Sequence, residues 1–126
     1  TYDQDVPITF DRKEAKAHGE GGILMGAPLQ GNILIIDDVI TAGTAIRHSV
    51  DLITSQGANP FGVVIGLDRC EQGVGELSAV EEVSRGLGLT VKSVITMHDI
   101  IDWLADQPEA AESLSLMLRY RERYGV

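Results

Sequence analysis

Cysteine is nearly absent from this chain, with Cys70 the single one among 126 residues. A lone thiol excludes a disulfide framework and a cysteine-rich metal site, and its simplest setting is a reducing, cytoplasmic one. Positive charge is scarce too. Ten Lys and Arg stand against nineteen Asp and Glu, and the formal net charge of −9 argues against nucleic-acid binding, which needs a basic footprint. Only three lysines occur, and two of them, Lys13 and Lys16, share one short segment. No apolar run approaches the roughly 20 residues that span a bilayer, so no membrane association is expected. No signal peptide, internal repeat, low-complexity stretch or domain linker is visible either. What is present is an ordinary globular composition, 44% hydrophobic and 23% charged, in a length that suits one domain with one core. The chain opens at Thr1 without an initiator Met and reaches the strand-like stretch 6–10 almost at once. It is therefore expected to be the later part of a longer polypeptide.

Residues 33–45, Ile-Leu-Ile-Ile-Asp-Asp-Val-Ile-Thr-Ala-Gly-Thr-Ala, are the most informative segment. Four consecutive β-branched or Leu residues suit a parallel-sheet strand buried on both faces. The run ends in Asp37 and Asp38, and a turn of small and hydroxyl residues leads into an amphipathic helix near Thr44. Ligands of open α/β sheets bind beyond the carboxyl ends of strands, and the free N–H groups opening the next helix form an anion site. Thr41-Ala42-Gly43-Thr44-Ala45 thus reads as a phosphate cradle. Gly43 permits a tight turn, small side chains let phosphate reach the backbone, and Thr41 and Thr44 add hydroxyl donors. Asp37 and Asp38 are placed to hold ribose hydroxyls or a hydrated Mg²⁺. An acidic pair alone is an ordinary solvated loop edge, so the weight falls on the whole pattern. This strand, acidic pair and Thr-Ala-Gly-Thr turn resemble, in order and spacing, the signature of the type I phosphoribosyltransferases, which bind 5-phosphoribosyl-1-pyrophosphate (PRPP).

The rest of the chain alternates strand and helix. Strands are expected at 6–10, 23–29, 33–37, 61–68 and 90–96. A helix over 44–55 places Ile46, Val50 and Ile53 on one face, with Gly57 suited to its C-terminal cap. Ser78 and Glu81 form a capping box before a helix with Val80, Val83 and Leu87 at core spacing. Thr96 and Asp99 open another, with Ile100, Ile101 and Leu104 inward and Trp103 also read as core. Pro108 suits the first turn of a last helix reaching about Tyr124. The pattern predicts an α/β fold, a central mainly parallel sheet flanked by helices; the resemblance implies that residues 1–126 form a single phosphoribosyltransferase catalytic core.

Two further places carry chemistry. Arg12, Lys13, Lys16 and His18 concentrate cationic groups within seven residues, followed by Gly19, Gly21 and Gly22. On charge alone, residues 11–22 read equally as a solvated polar loop or as a mobile cationic loop over a departing anion. Arg69, at the end of the 61–68 strand, presents a planar guanidinium able to take a carboxylate bidentately. Its bland alternative is a surface salt bridge with Asp68 or Glu71. Cys70 reads as a bystander and Glu81-Glu82 as no paired-carboxylate acid/base site, while His48 and His98 read as structural or solvent-facing.

The segment Arg-Lys-Glu-Ala-Lys-Ala-His-Gly-Glu-Gly-Gly, residues 12–22, resembles the catalytic loop of the orotate phosphoribosyltransferase family. Asp68-Arg69 resembles that family's base-recognition segment, and the closing Arg119-Tyr-Arg-Glu-Arg-Tyr-Gly-Val126 its stand-alone bacterial members. The resemblance implies transfer of phosphoribose from PRPP to orotate, giving orotidine 5′-phosphate and pyrophosphate, in pyrimidine (UMP) biosynthesis. It implies that Arg12, Lys13, Lys16, His18, Asp37, Asp38 and the stretch Val39, Ile40, Thr41, Ala42, Gly43, Thr44 and Ala45 bind PRPP. Lys16, His18, Asp37 and Asp38 would be catalytic, and Thr41 and Arg69 would contact orotate. Mg²⁺ would be held mainly through PRPP and water, with no direct protein ligand. A homodimer with shared active sites is implied, as are family members considerably longer at the N-terminus. Competing expectations are a type I enzyme acting on a purine or uracil, an RNA-binding regulator of the same fold, a receiver-like acidic Mg²⁺-binding domain, and a non-catalytic fragment supplying dimer contacts.

Overall fold

The computed structural model describes residues 3–11 and 24–126. A short antiparallel hairpin comes first, β1 (Thr9–Asp11) paired with β2 (Leu24–Gly26). The apolar run then forms β3 (Asn32–Val39), and a crossover through α1 (Thr44–Ser55) returns the chain to β4 (Asn59–Asp68). A second crossover through α2 (Ala79–Leu87) leads to β5 (Val91–Thr96). The three long strands lie parallel in the order β3-β4-β5. From β5 the chain passes directly into α3 (Met97–Ala105), then a 3₁₀ turn at Pro108–Ala110 and α4 (Ala111–Tyr124).

The core forms where one sheet face meets two helices. Ile35, Val63 and Ile65 point toward Ile46 and Ile53 of α1 and Ala79 and Val83 of α2. The register sets Ile35 beside Val63, and Asp37 beside Ile65, so the apolar seam runs up to the level of the acidic pair. Each such side chain, once buried, contributes about 1.5–3 kcal/mol. Helix ends follow the expected chemistry. Ser78 and Glu81 cap α2 reciprocally, and Thr96 and Asp99 do the same for α3. Gly57, just past α1, has φ +77°, the left-handed geometry of a terminating residue.

Three expectations change. Burial of β3 on both faces is not observed: Ile36 is 77% exposed, and Val94 on the same face of β5 is 73% exposed. The reason is topological. Right-handed crossovers that step the same way twice put α1 and α2 on the same side of the sheet. Trp103 is not core but 62% exposed. Met97, Ile101 and Leu104 form the buried stripe of α3 at helical spacing, and Trp103 falls off it. Pro108 opens a separate 3₁₀ turn rather than α4 itself, and α4 has no fully buried residue.

Ile65 is wholly buried, at 0% exposure, at the centre of this seam. Ile65→Ala is expected to cost about 2–5 kcal/mol in equilibrium urea unfolding, from lost transfer energy plus a cavity. Val74→Ala, at a position 96% exposed, should stay within about 0.5 kcal/mol of the parent.

Candidate functional site

Strand β3 runs two residues further than its apolar pattern predicts, to Val39, so Asp37 and Asp38 lie inside the ladder rather than beyond it. Consecutive strand residues alternate faces. Asp37 is half-buried on the helix-covered face and Asp38 is exposed on the other. Each carboxylate accepts the next backbone N–H, Asp38 to Asp37 at 2.9 Å and Val39 to Asp38 at 2.7 Å. These bonds fix one oxygen of each and leave the second available.

After buried Ile40 the chain turns at Thr41, Ala42 and Gly43 into α1. Gly43 has φ +71°, and a Cβ there would stand 2.2 Å from Val83 Cγ2 and 3.0 Å from Arg47 Nη1. The turn therefore needs glycine both for its backbone and for its seat against α2. The first helical bond runs from the Arg47 N–H to the Gly43 carbonyl at 3.0 Å, and no side chain caps this end. The N–H groups of Thr44, Ala45 and Ile46 thus lack intrahelical acceptors, and the helix dipole adds to their pull on an anion. Thr41, Ala42, Thr44 and Ala45 are all exposed, so the cradle is open. Arg47 Nη1 donates to the Ala42 carbonyl at 2.6 Å, tying the turn to the helix behind it.

The sheet register brings the second element alongside. Val39 pairs with Leu67, so the carboxyl ends of β3 and β4 are neighbours and Asp68-Arg69 leaves the sheet at the same end as the cradle. Of its two possible acidic partners Arg69 takes Glu71, with Nη2 at 2.9 Å from Oε2. Glu71 in turn accepts a short hydrogen bond from the Tyr120 hydroxyl of α4. That bond, with some loss of solvent, holds the Tyr120 phenol above its ordinary value of 10.0. Arg69 Nε is buried without a hydrogen-bond partner among the described residues. A cleft of about 390 Å³ opens beside Arg69, Glu71 and Tyr120.

Cys70 adopts the left-handed backbone, φ +50°, with its N–H bound to the Asp68 carboxylate at 2.8 Å. Burial first, and Asp68 second, push its thiol above the ordinary value of 9.0, which keeps it protonated and accords with a bystander. His98 Nδ1 lies 3.4 Å from its sulfur. His48 is solvent-facing and 3.3 Å from Asp11. Arg12, Lys13, Lys16 and His18 lie outside the described residues. Among the described residues no group of three or more His, Cys, Asp or Glu is placed to hold a metal ion, and no helix is long and apolar enough to cross a membrane.

Sequence reading alone missed three supports of this site: Arg47 behind the cradle, Val83 beneath Gly43, and Tyr120 on Glu71, the acidic partner already named as an alternative for Arg69. A fourth is Glu82, read only as no acid/base carboxylate. It accepts the N–H groups of Val74 at 2.9 Å and Gly75 at 2.5 Å, and those bonds, with Arg47 nearby, hold its carboxyl below the ordinary 4.5. No local motif announces any of these, because each joins residues from separate elements or distant turns.

No family model matches the chain. Among curated proteins, the orotate phosphoribosyltransferases of Yersinia pestis (strain Pestoides F) and Yersinia pseudotuberculosis (serotype O:1b) are each 54% identical to it. The match covers 125 residues, 99% of this chain and 58% of theirs. The chain thus spans under two thirds of the length of the relatives it matches. Among solved structures, orotate phosphoribosyltransferase of Francisella tularensis superposes with a TM-score of 0.76 at 30% identity, over 99% of this chain and 59% of that one. Leishmania donovani UMP synthase shares the fold, with a TM-score of 0.70 at 21% identity, over 94% of this chain and 24% of that one.

Two outcomes test this geometry. Gly43→Ala should lower the unfolding temperature, by strain of about 1–3 kcal/mol, because the new methyl collides with Val83 at an unfavourable φ. Glu82 is the pH-dependent support. Its folded value lies below 4.5, so its contribution is complete above that pH and disappears as pH falls through the folded value. Glu82→Gln should therefore show a smaller fall in unfolding temperature than the parent between about pH 6 and pH 3.

Proposed function

We propose that this chain belongs to the orotate phosphoribosyltransferase family and acts in the transfer of phosphoribose from PRPP to N1 of orotate, giving orotidine 5′-phosphate and pyrophosphate. The observation that carries the reading is the juxtaposition at the carboxyl ends of β3 and β4. An open anion cradle, two half-free carboxylates and a guanidinium beside a cleft are set at that one end of the sheet by one register. These are the three recognitions the reaction demands: a sugar phosphate, vicinal ribose hydroxyls, and a base bearing a carboxylate.

The barrier is cleavage of the anomeric C–O bond. Positive charge grows on the ribose ring while negative charge grows on the leaving pyrophosphate. Such a step needs positioning and fixed charge more than a covalent nucleophile. The backbone from Thr41 to Ala45 grips the 5′-phosphate, with Val39 and Ile40 leading the chain into the turn. Asp37 and Asp38 accept hydrogen bonds from the ribose hydroxyls and lie close enough to favour the developing positive charge. Arg69 takes the orotate carboxylate, and Thr41 contacts the base. Lys16 is the main cation on the leaving group, supported by Arg12, Lys13 and His18. These four roles rest on the family resemblance.

Magnesium fits this donor set. Mg²⁺ keeps several waters and is held through one or two carboxylates and substrate phosphates rather than an all-protein cage. Asp37 and Asp38, on opposite strand faces with one oxygen of each free, suit contact with its waters rather than direct ligation, which leaves the ion held mainly by substrate phosphates. When bound, Mg²⁺ supplies neutralisation of the pyrophosphate charge. We further read residues 1–126 as one catalytic core working in a homodimer with shared sites. A reducing, cytoplasmic setting accords with the free Cys70.

The deciding assay is Mg²⁺-dependent loss of orotate absorbance with PRPP, with uracil and adenine run in parallel. Orotate consumption alone is expected, and consumption of another base instead would assign a different substrate. Lys16→Ala should lower kcat about 10²–10³-fold while PRPP binding weakens far less. Equal losses in both would contradict a role specific to the transition state.

A further inference from the structure

Arg69 is the first residue past β4, and a guanidinium on a three-carbon stem at a strand end has wide freedom. This one is held. Glu71 Oε2 takes Nη2, and Glu71 Oε1 takes the Tyr120 hydroxyl, so both carboxylate oxygens are engaged in a fixed plane. The backbone under Glu71 is held from three sides. Gln72 N–H donates to Tyr124 O at 2.8 Å, Val126 N–H to Cys70 O at 3.1 Å, and Ala79 N–H to Glu71 O at 3.0 Å. The left-handed turn at Cys70, clipped by Asp68, brings residues 69 and 71 to the same side. Arg69 has no other partner among the described residues, and its Nε is buried unpaired. Among the described residues no other hydrogen bond or ion pair fixes the direction of this guanidinium.

We propose that Glu71 and Tyr120 are positioning residues: the Tyr120–Glu71 pair orients the Arg69 guanidinium so that it meets a substrate carboxylate pre-aligned. The inference rests on the functional reading above, in which Arg69 takes the carboxylate of orotate. Neither residue needs to touch the substrate. Without Glu71 the guanidinium must be ordered by the substrate itself, and the entropy of that ordering is charged against binding. Tyr120 acts one step further back, fixing the Glu71 plane and drawing off part of its charge. Arg69 is thereby left with attraction for a second carboxylate.

The test is steady-state kinetics on the full-length protein as its organism makes it, comparing the parent with Tyr120→Phe, Glu71→Gln and Glu71→Ala. Tyr120→Phe keeps the ring and removes only the donor. It should raise KM for orotate about 3- to 10-fold, with kcat and KM for PRPP within about twofold of the parent. Glu71→Ala should raise KM for orotate by about 10- to 100-fold, and Glu71→Gln, which keeps an acceptor for Arg69, should recover much of that. An unchanged orotate KM in both Tyr120→Phe and Glu71→Ala overturns the proposal. So does a parallel rise for orotate and PRPP with a lowered unfolding temperature, which marks a merely structural part. If the parent consumes no orotate, the functional reading fails and the proposal falls with it. A parent that consumes orotate alongside unaffected variants sinks the positioning role alone.

Discussion

Parallel pairing of β3 with β4 is the constraint on which the rest depends. Its register fixes which side chains face α1 and α2, and it sets Val39 beside Leu67. From that one pairing follow both the buried seam of Ile35, Val63 and Ile65 and the placing of the cradle and Arg69 at the same end of the sheet. A strand slip of one residue would reverse every face and send Asp37 into solvent with Asp38 against the helices. The core and the site are therefore not separate achievements of the fold. The apolar contacts that stabilise the sheet also bring together the groups that bind charge.

The site works against the protein's own electrostatics. Under the proposed function a chain with net charge −9 has to receive a polyanionic sugar phosphate. What it offers is local, backbone dipoles at the uncapped start of α1 for a phosphate and the guanidinium of Arg69 for a carboxylate, rather than a broad basic surface. The neighbouring helices α2 and α3 spend their first N–H groups on Ser78, Glu81, Thr96 and Asp99. Acidic groups near the site are occupied as well. Glu82 is bound to the 74–75 backbone and Glu71 to Arg69 and Tyr120, which limits their repulsion of an incoming anion.

The architecture also explains the exposed apolar residues. Leu34, Ile36 and Val94 share the sheet face that neither crossover covers, and their exposure follows from crossover handedness rather than from local sequence. The same four-residue apolar run reads as doubly buried when only its composition is considered. Trp103 shows the related limit. A large aromatic is a reasonable core candidate by type, yet its phase on α3 sets it off the stripe formed by Met97, Ile101 and Leu104.

By itself the sequence determined the alternation of strand and helix, the capping boxes at Ser78 and Thr96, the glycine turn at 41–43 and the placing of an acidic pair and Arg69 at strand ends. All of these are written in local chemistry: β-branching, 3.6-residue periodicity, side chains that bond their own backbone, and a residue without Cβ. Only the tertiary structure decided that β3 is covered on one face, that Gly43 rests on Val83, that Arg47 braces Ala42, and that Tyr120 of α4 fixes the Glu71 carboxylate paired with Arg69. Those facts join residues far apart in the chain or in different elements. Their energies exist only once sheet register and crossover handedness have brought the partners within reach.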